Sequence, residues 1–140
     1  MNATVREWVE KAEEDFHVLE RESRVRKNPS FNGICFHAQQ CVEKLMKAWI
    51  ISKKRVPPRT HDLLILNELL METGLVLKCS RSELRSLSIG AVMFRYPGES
   101  ADKEMAVEAG KLCKRVRKEL HLGLGVIPAP ARKPRVSRKK

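Results

Sequence analysis

The stretch that most constrains the fold is Phe31 to Ile51, FNGICFHAQQCVEKLMKAWII. It reads as one long helix at the centre of a bundle. With Ala38 at the origin and about 100° per residue, Phe31, Ile34, Cys35, Ala38, Cys41, Val42, Leu45 and Trp49 fall within roughly 60° of one line. That stripe requires a partner surface. On the opposite side Phe36, Gln40, Glu43, Lys47 and Ile50 form a second line, which begins with an aromatic and ends with an aliphatic side chain. A solvated face would be polar throughout. The helix is therefore expected to have neighbours on both sides, or one core plus a partner chain or ligand.

The flanking sequence supplies further helices. Thr4-x-x-Glu7 reads as a capping box opening a first helix, whose inward stripe is Val5, Trp8, Val9, Ala12, Phe16 and Leu19. Lys27-Asn28-Pro29 breaks it, because the residue before proline avoids helical backbone. Ser30 then caps the central helix. After a basic, proline-stiffened loop, SKKRVPPR, Thr60 is read as the cap of a leucine-rich third helix that ends at Gly74. Ser80-x-x-Glu83 opens a fourth helix, with Leu84, Leu87 and Ala91 inward, and Pro97-Gly98 stops it. Ser100 is read as the cap of a fifth, with Met105, Ala109, Leu112, Val116 and Leu120 inward and Gly123 at its end. The fold expectation is all-α: an antiparallel up-and-down bundle of about five helices, four of them long, over residues 1–123. Residues 124–140 are expected to be a disordered basic tail, having too little apolar content to pack.

At 140 residues the chain is long enough for one self-sufficient core. No apolar run reaches the ~18 residues of a membrane span and no signal core is visible, so a cytoplasmic location is expected. Cys35, Cys41, Cys79 and Cys113 form no CxxC pair. Buried reduced thiols are expected, with no metal site and no cofactor. The net charge of +11 is unevenly spread: Arg132, Lys133, Arg135, Arg138, Lys139 and Lys140 follow the last acid, Glu119, and leave about +5 for the rest. The strongest polyanion signal therefore lies in the tail.

Phe36-His37-Ala38-Gln39-Gln40, with Glu43-Lys44 and Lys47 beyond it, resembles the signature helix of HEPN domains. Thr60-His61-Asp62-Leu63 and Arg95-Tyr96-Pro97 match the same family in order and approximate spacing. The resemblance implies a helical domain, but the family spans ribonuclease toxins of toxin–antitoxin pairs, partners of minimal nucleotidyltransferases and domains of other roles. For this chain it implies a non-catalytic homodimer that binds a nucleotide, a nucleotide-bearing substrate or RNA, with a minimal nucleotidyltransferase as expected partner. The ligand-binding candidates are His37, Gln40, Lys44, Lys47, His61, Arg95 and Tyr96. The dimer seam would use Phe36, Gln40, Glu43, Lys47 and Ile50.

Each candidate also has a purely structural reading. His37 and His61 can be hydrogen-bonded framework histidines, and Glu43 with Lys47 an i,i+4 ion pair inside a polar layer. Arg95 can satisfy carbonyls at a helix end, or clamp a phosphate while Tyr96 stacks on a base. HEPN ribonucleases pair an arginine with a histidine a few residues later on a late helix, without metal. In such a site histidine moves the 2′-OH proton and arginine stabilises the phosphorane. Arg95 lacks that histidine, since Glu99 and Ser100 stand where it is needed. Arg115 and His121 have the spacing on the last helix, and Arg55 with His61 has it across a proline loop. An endoribonuclease using Arg115 and His121 is thus one alternative, and a basic RNA- or DNA-binding adaptor acting through the tail is another.

Overall fold

Helix α2 (Phe31–Ser52) runs through the middle of the molecule, and the other helices pack around it: α1 (Ala3–Ser23), α3 (Leu63–Glu72), α4 (Arg81–Met93) and α5 (Lys103–Leu124). The computed structural model describes residues 1–126. The tail expected beyond them lies outside the described residues.

Cap chemistry sets the helix starts. Ser30 Oγ accepts the Gly33 N–H, and Ser80 with Glu83 forms both halves of the expected capping box. At three other starts the cap differs from the one expected. Asn2, not Thr4, accepts the Val5 N–H; Asp62, not Thr60, accepts that of Leu64; Asp102, not Ser100, accepts that of Met105. Asn and Asp outrank Thr as caps, and a carboxylate also meets the positive end of the helix dipole. Thr60 instead takes the Asp62 N–H in the turn before α3.

The direction of each helix follows from its contacts. Asp15 of α1 meets His37 and Lys44 of α2, and Trp8 lies beside Lys47, so α1 and α2 are antiparallel. The loop after α2 runs back along the molecule: His61 reaches Glu43 and Thr73 reaches Trp49, so α3 travels in the same sense as α2. Up-and-down alternation is broken there and resumes through α4 and α5, which leaves α5 also running with α2. Asn32 accepts the Ala101 N–H near one end of this pair, and Trp49 packs on Gly123 near the other.

The core takes the inward stripes largely as expected. Val5, Val9, Ala12, Phe16 and Leu19 of α1 are buried, as are Leu84, Leu87 and Ala91 of α4. On α5, Ala109, Leu112, Val116 and Leu120 are inside, but Met105 is 48% exposed because α4 stands away from it. Cys35, Cys41 and Cys113 are buried free thiols. Burial first, and Asp102 second, push Cys35 up to about 11. Cys41 is raised by its hydrogen bond with Cys113 and by burial. These thiols are poor nucleophiles.

Gly123 does not end α5. The helix continues to Leu124, and Gly125, in the left-handed conformation at φ 73°, forms the cap. Gly123 is small for another reason: a Cβ there would stand 2.5 Å from Trp49 Cζ3. The indole cannot easily retreat, because its Nε1 donates to Thr73 Oγ1 at 2.9 Å. A second tie joins α1 to α5. Arg117 grips Glu13 through two hydrogen bonds of 2.8 and 2.6 Å, with its guanidinium 3.9 Å from the Phe16 ring centroid. Burial works to raise the Glu13 carboxyl, but Arg117, helped by His121, outweighs it and holds the group down at about 2.

Two stability measurements follow. Gly123→Ala should lower stability by about 1–2 kcal/mol in denaturant unfolding, the overpacking against Trp49 exceeding the alanine gain in helix propensity. Glu13→Gln should cost about 1.5 kcal/mol at neutral pH through loss of the charged hydrogen bonds. Because the folded carboxyl lies below its ordinary 4.5, that contribution is complete above pH 4.5 and is lost as pH falls towards 2. The melting temperatures of wild type and Glu13→Gln should therefore converge across that interval.

Candidate functional site

The second face of α2 is where most of the candidate residues meet. Two carboxylates organise it. Asp15 of α1, buried against α2, holds His37 Nδ1 at 2.7 Å and Lys44 Nζ at 2.6 Å. A carboxylate only accepts, so His37 Nδ1 carries the proton. One turn along, Glu43 holds Lys47 Nζ at 2.9 Å and lies 3.0 Å from His61 Nδ1. Glu43 and Lys47 are only 3% and 7% exposed.

Gln39 stitches the layer together. Its amide donates to Glu43 Oε1 at 3.0 Å and to the His61 carbonyl at 2.9 Å, while its oxygen accepts from Gln40 Nε2 at 2.8 Å. Lys47 Nζ also lies 5.7 Å from the Trp8 ring centroid. Each charge is therefore hydrogen-bonded as it is buried, which is the condition for keeping charge inside a helical bundle.

Farther towards the start of α2, Arg95 lies beyond the end of α4 with its guanidinium 5.7 Å from the Phe36 ring centroid. Phe36 meets His37 edge to face at 5.3 Å. Asn32, Gly33, Phe36, Ala91, Phe94 and Arg95 line a hollow of about 270 Å³. Tyr96 is 64% exposed beside it in sequence. Arg95 makes no ion pair among the described residues, whereas His37, Lys44, Lys47 and His61 are all bound to carboxylates.

The seam expected from this face is altered by the packing. Glu43, Lys47 and Ile50 are buried within the chain itself, under its own neighbouring helices. Only Phe36 and Gln40 of that line retain surface. Covering of the second face thus does not by itself require a second copy.

Arg115 and His121 do not converge. Arg115 reaches across to Glu83 of α4 at 2.6 Å, and Glu83, hydrogen-bonded at the Ser80 cap and to Arg115, is held below its ordinary range. His121 turns to α1, its buried Nε2 3.2 Å from Glu13 Oε2 but off the line of a hydrogen bond. Six residues on a helix place two side chains about 120° apart, too far round to share one phosphate. Arg55 is likewise engaged with Glu72 at 3.0 Å. Among the described residues no group of three or more His, Cys, Asp or Glu is placed to hold a metal ion, and no helix is long and apolar enough to cross a membrane.

Asp15 and Gln39 were missing from the candidates. Both were visible as polar residues on the edge of an apolar stripe: Asp15 lies between Ala12 and Leu19 at helical spacing, and Gln39 is one step from Ala38. The network gives a measurable expectation. Lys47→Met should destabilise the fold by about 3 kcal/mol, since it leaves Glu43 buried without its main counter-charge. Adding Glu43→Gln should recover part of that loss in a double-mutant cycle.

Comparison with curated proteins and with solved structures gave no match. The model of the HEPN domain matches residues 5–122, which spans α2, α3 and α4 in full, all but the outer ends of α1 and α5, the α2 signature and both later fragments. The chain belongs to the HEPN domain family.

Proposed function

We propose that this chain is a non-catalytic HEPN domain that binds a nucleotide, or a substrate bearing one, at the α2 face. The observation that carries the reading is Arg95: a guanidinium without an acidic partner among the described residues, set over Phe36 at the rim of a hollow. An aromatic floor with an adjacent unpaired guanidinium suits a base and a phosphate together. Tyr96 adds an exposed ring near the same rim. In this reading His37, Gln40 and Lys44 border the ligand, and His61, 78% exposed at its side chain, flanks it. Lys47 serves chiefly to hold Glu43.

The non-catalytic reading is supported by the commitment of the basic groups that could have formed a ribonuclease pair. Histidines bound to buried carboxylates hold the network in place, and the Arg115–His121 spacing leads to two different helices. Homodimerisation, in this reading, rests on the accessible parts of Phe36 and Gln40. Partnership with a minimal nucleotidyltransferase rests on the family resemblance.

Calorimetric titration of the full chain with ATP tests the binding. Arg95→Ala should weaken it at least tenfold, a loss of about 1.4 kcal/mol; unchanged affinity would sink the reading. Labelled RNA incubated with the protein should stay intact with or without chelator, and cleavage abolished by His121→Ala would favour the ribonuclease alternative. Light scattering after size exclusion should give a dimer that Phe36→Asp converts to monomer, while a wild-type monomer at micromolar concentration would refute the dimer.

A further inference from the structure

A second concavity lies away from the α2 face, between α4 and α5. Helices α4 and α5 both lean on α2, but they touch one another sparingly. Arg115 and Glu83 tie them at one end, and from there a groove of about 800 Å³ opens between them. Its floor is apolar, built from Leu87, Phe94, Ala109 and Leu112, with Met93 and Met105 partly exposed at the lips.

The rim has a sign opposite to that of the chain. Glu83, Glu99, Asp102, Glu104 and Glu108 line the groove against a single lysine or arginine, Arg85. In a chain of net charge +11, this is a concentrated negative surface. It repels a polyanion, so it is not an RNA or nucleotide site. A second copy docked by the same face would set acid against acid, so a two-fold seam here is opposed as well. The surface fits an extended cationic segment with apolar side chains.

The chain carries such a segment. Residues 127–140, IPAPARKPRVSRKK, contain six cations, no acid and three prolines. Prolines exclude a regular helix and favour extended backbone, which advances about 3.1 Å per residue. Along α5 each residue covers about 1.5 Å. An extended chain leaving Gly125 antiparallel to α5 would span about 22–25 Å to Arg132 and Lys133, against roughly 25 Å along α5 to Glu108. The same extended chain would span about 31 Å to Arg135, the distance to Glu104, and about 40 Å to Arg138, just past Asp102 at about 35 Å and towards the turn that holds Glu99. The spacing of the cations thus keeps step with that of the acids.

We propose that residues 127–140 dock in the α4–α5 groove of their own chain, running antiparallel to α5. Arg132, Lys133 and Arg135 meet Glu108 and Glu104, the last cations meet Asp102 and Glu99, and proline and Val136 cover the apolar floor. The acidic rim then competes with external polyanions for the same cations. The proposal is independent of the nucleotide reading above, since it uses neither Arg95 nor the α2 face.

Carbodiimide cross-linking of the full chain, mixed from ¹⁴N and ¹⁵N protein and mapped by mass spectrometry, tests it. Lys133, Lys139 and Lys140 should link to Glu99, Glu104 and Glu108 in preference to the exposed Glu7, Glu10 and Glu14 of α1, and within one isotope. Links spread evenly over the acids overturn the docking, and links between isotopes overturn docking within one chain. A second readout removes two rim charges: in Glu104→Gln/Glu108→Gln, trypsin should cut after Arg132 and Arg135 at least threefold faster than in wild type. Equal cleavage rates would also overturn it.

Discussion

The buried Glu43–Lys47 pair is the contact on which the rest of this structure depends. A helix covered on most sides by its own chain has little solvent face on which to leave charge, so a charge on its covered sides must be met inside. Lys47 meets Glu43 one turn away, and His61 and Gln39 take the remaining carboxylate positions. The loop before α3 is thereby fastened to the middle of α2, and the return of the chain at that point follows. Asp15 does the corresponding work between α1 and α2. The polar layer is also a register device: a one-turn slip would leave a carboxylate buried without its cations.

The same pairing decides which basic groups remain available to anything outside. His37, Lys44, Lys47 and His61 look alike in the sequence as potential ligands, yet each already has an acidic partner. Arg95 differs because it lies past the end of α4, over a phenyl ring and not against a carboxylate. Charge on the rest of the surface is sorted in a comparable way. Five acids of α4, α5 and the turn between them line one groove, while an acid-free run of cations is left to residues 127–140.

Helix existence was legible from periodicity at all five helices, and the two-faced burial of α2 was legible because Phe36 and Ile50 stand on its otherwise polar line. Helix starts were less legible. Asn2, Asp62 and Asp102 each lie two residues from the hydroxyl residue first read as the cap, and local pattern alone does not rank two good caps so close together. Gly123 was read as a terminator when its smallness serves Trp49, a residue far away in sequence. Asp15 was passed over because a lone acid beside an apolar stripe reads as a solvated edge until the histidine and lysine of another helix are seen against it.

On its own, the sequence determined the all-α class, the central place of α2 and most of the inward stripes, because helical burial repeats at short spacing and leaves a periodic trace. The family signature, likewise, is a local pattern of neighbouring residues. Only the tertiary structure decided which charges are met inside, that Arg95 faces a phenyl ring with no acidic partner among the described residues, and where α4 and α5 part. Those outcomes depend on distances between side chains remote in the chain, and no local period records them.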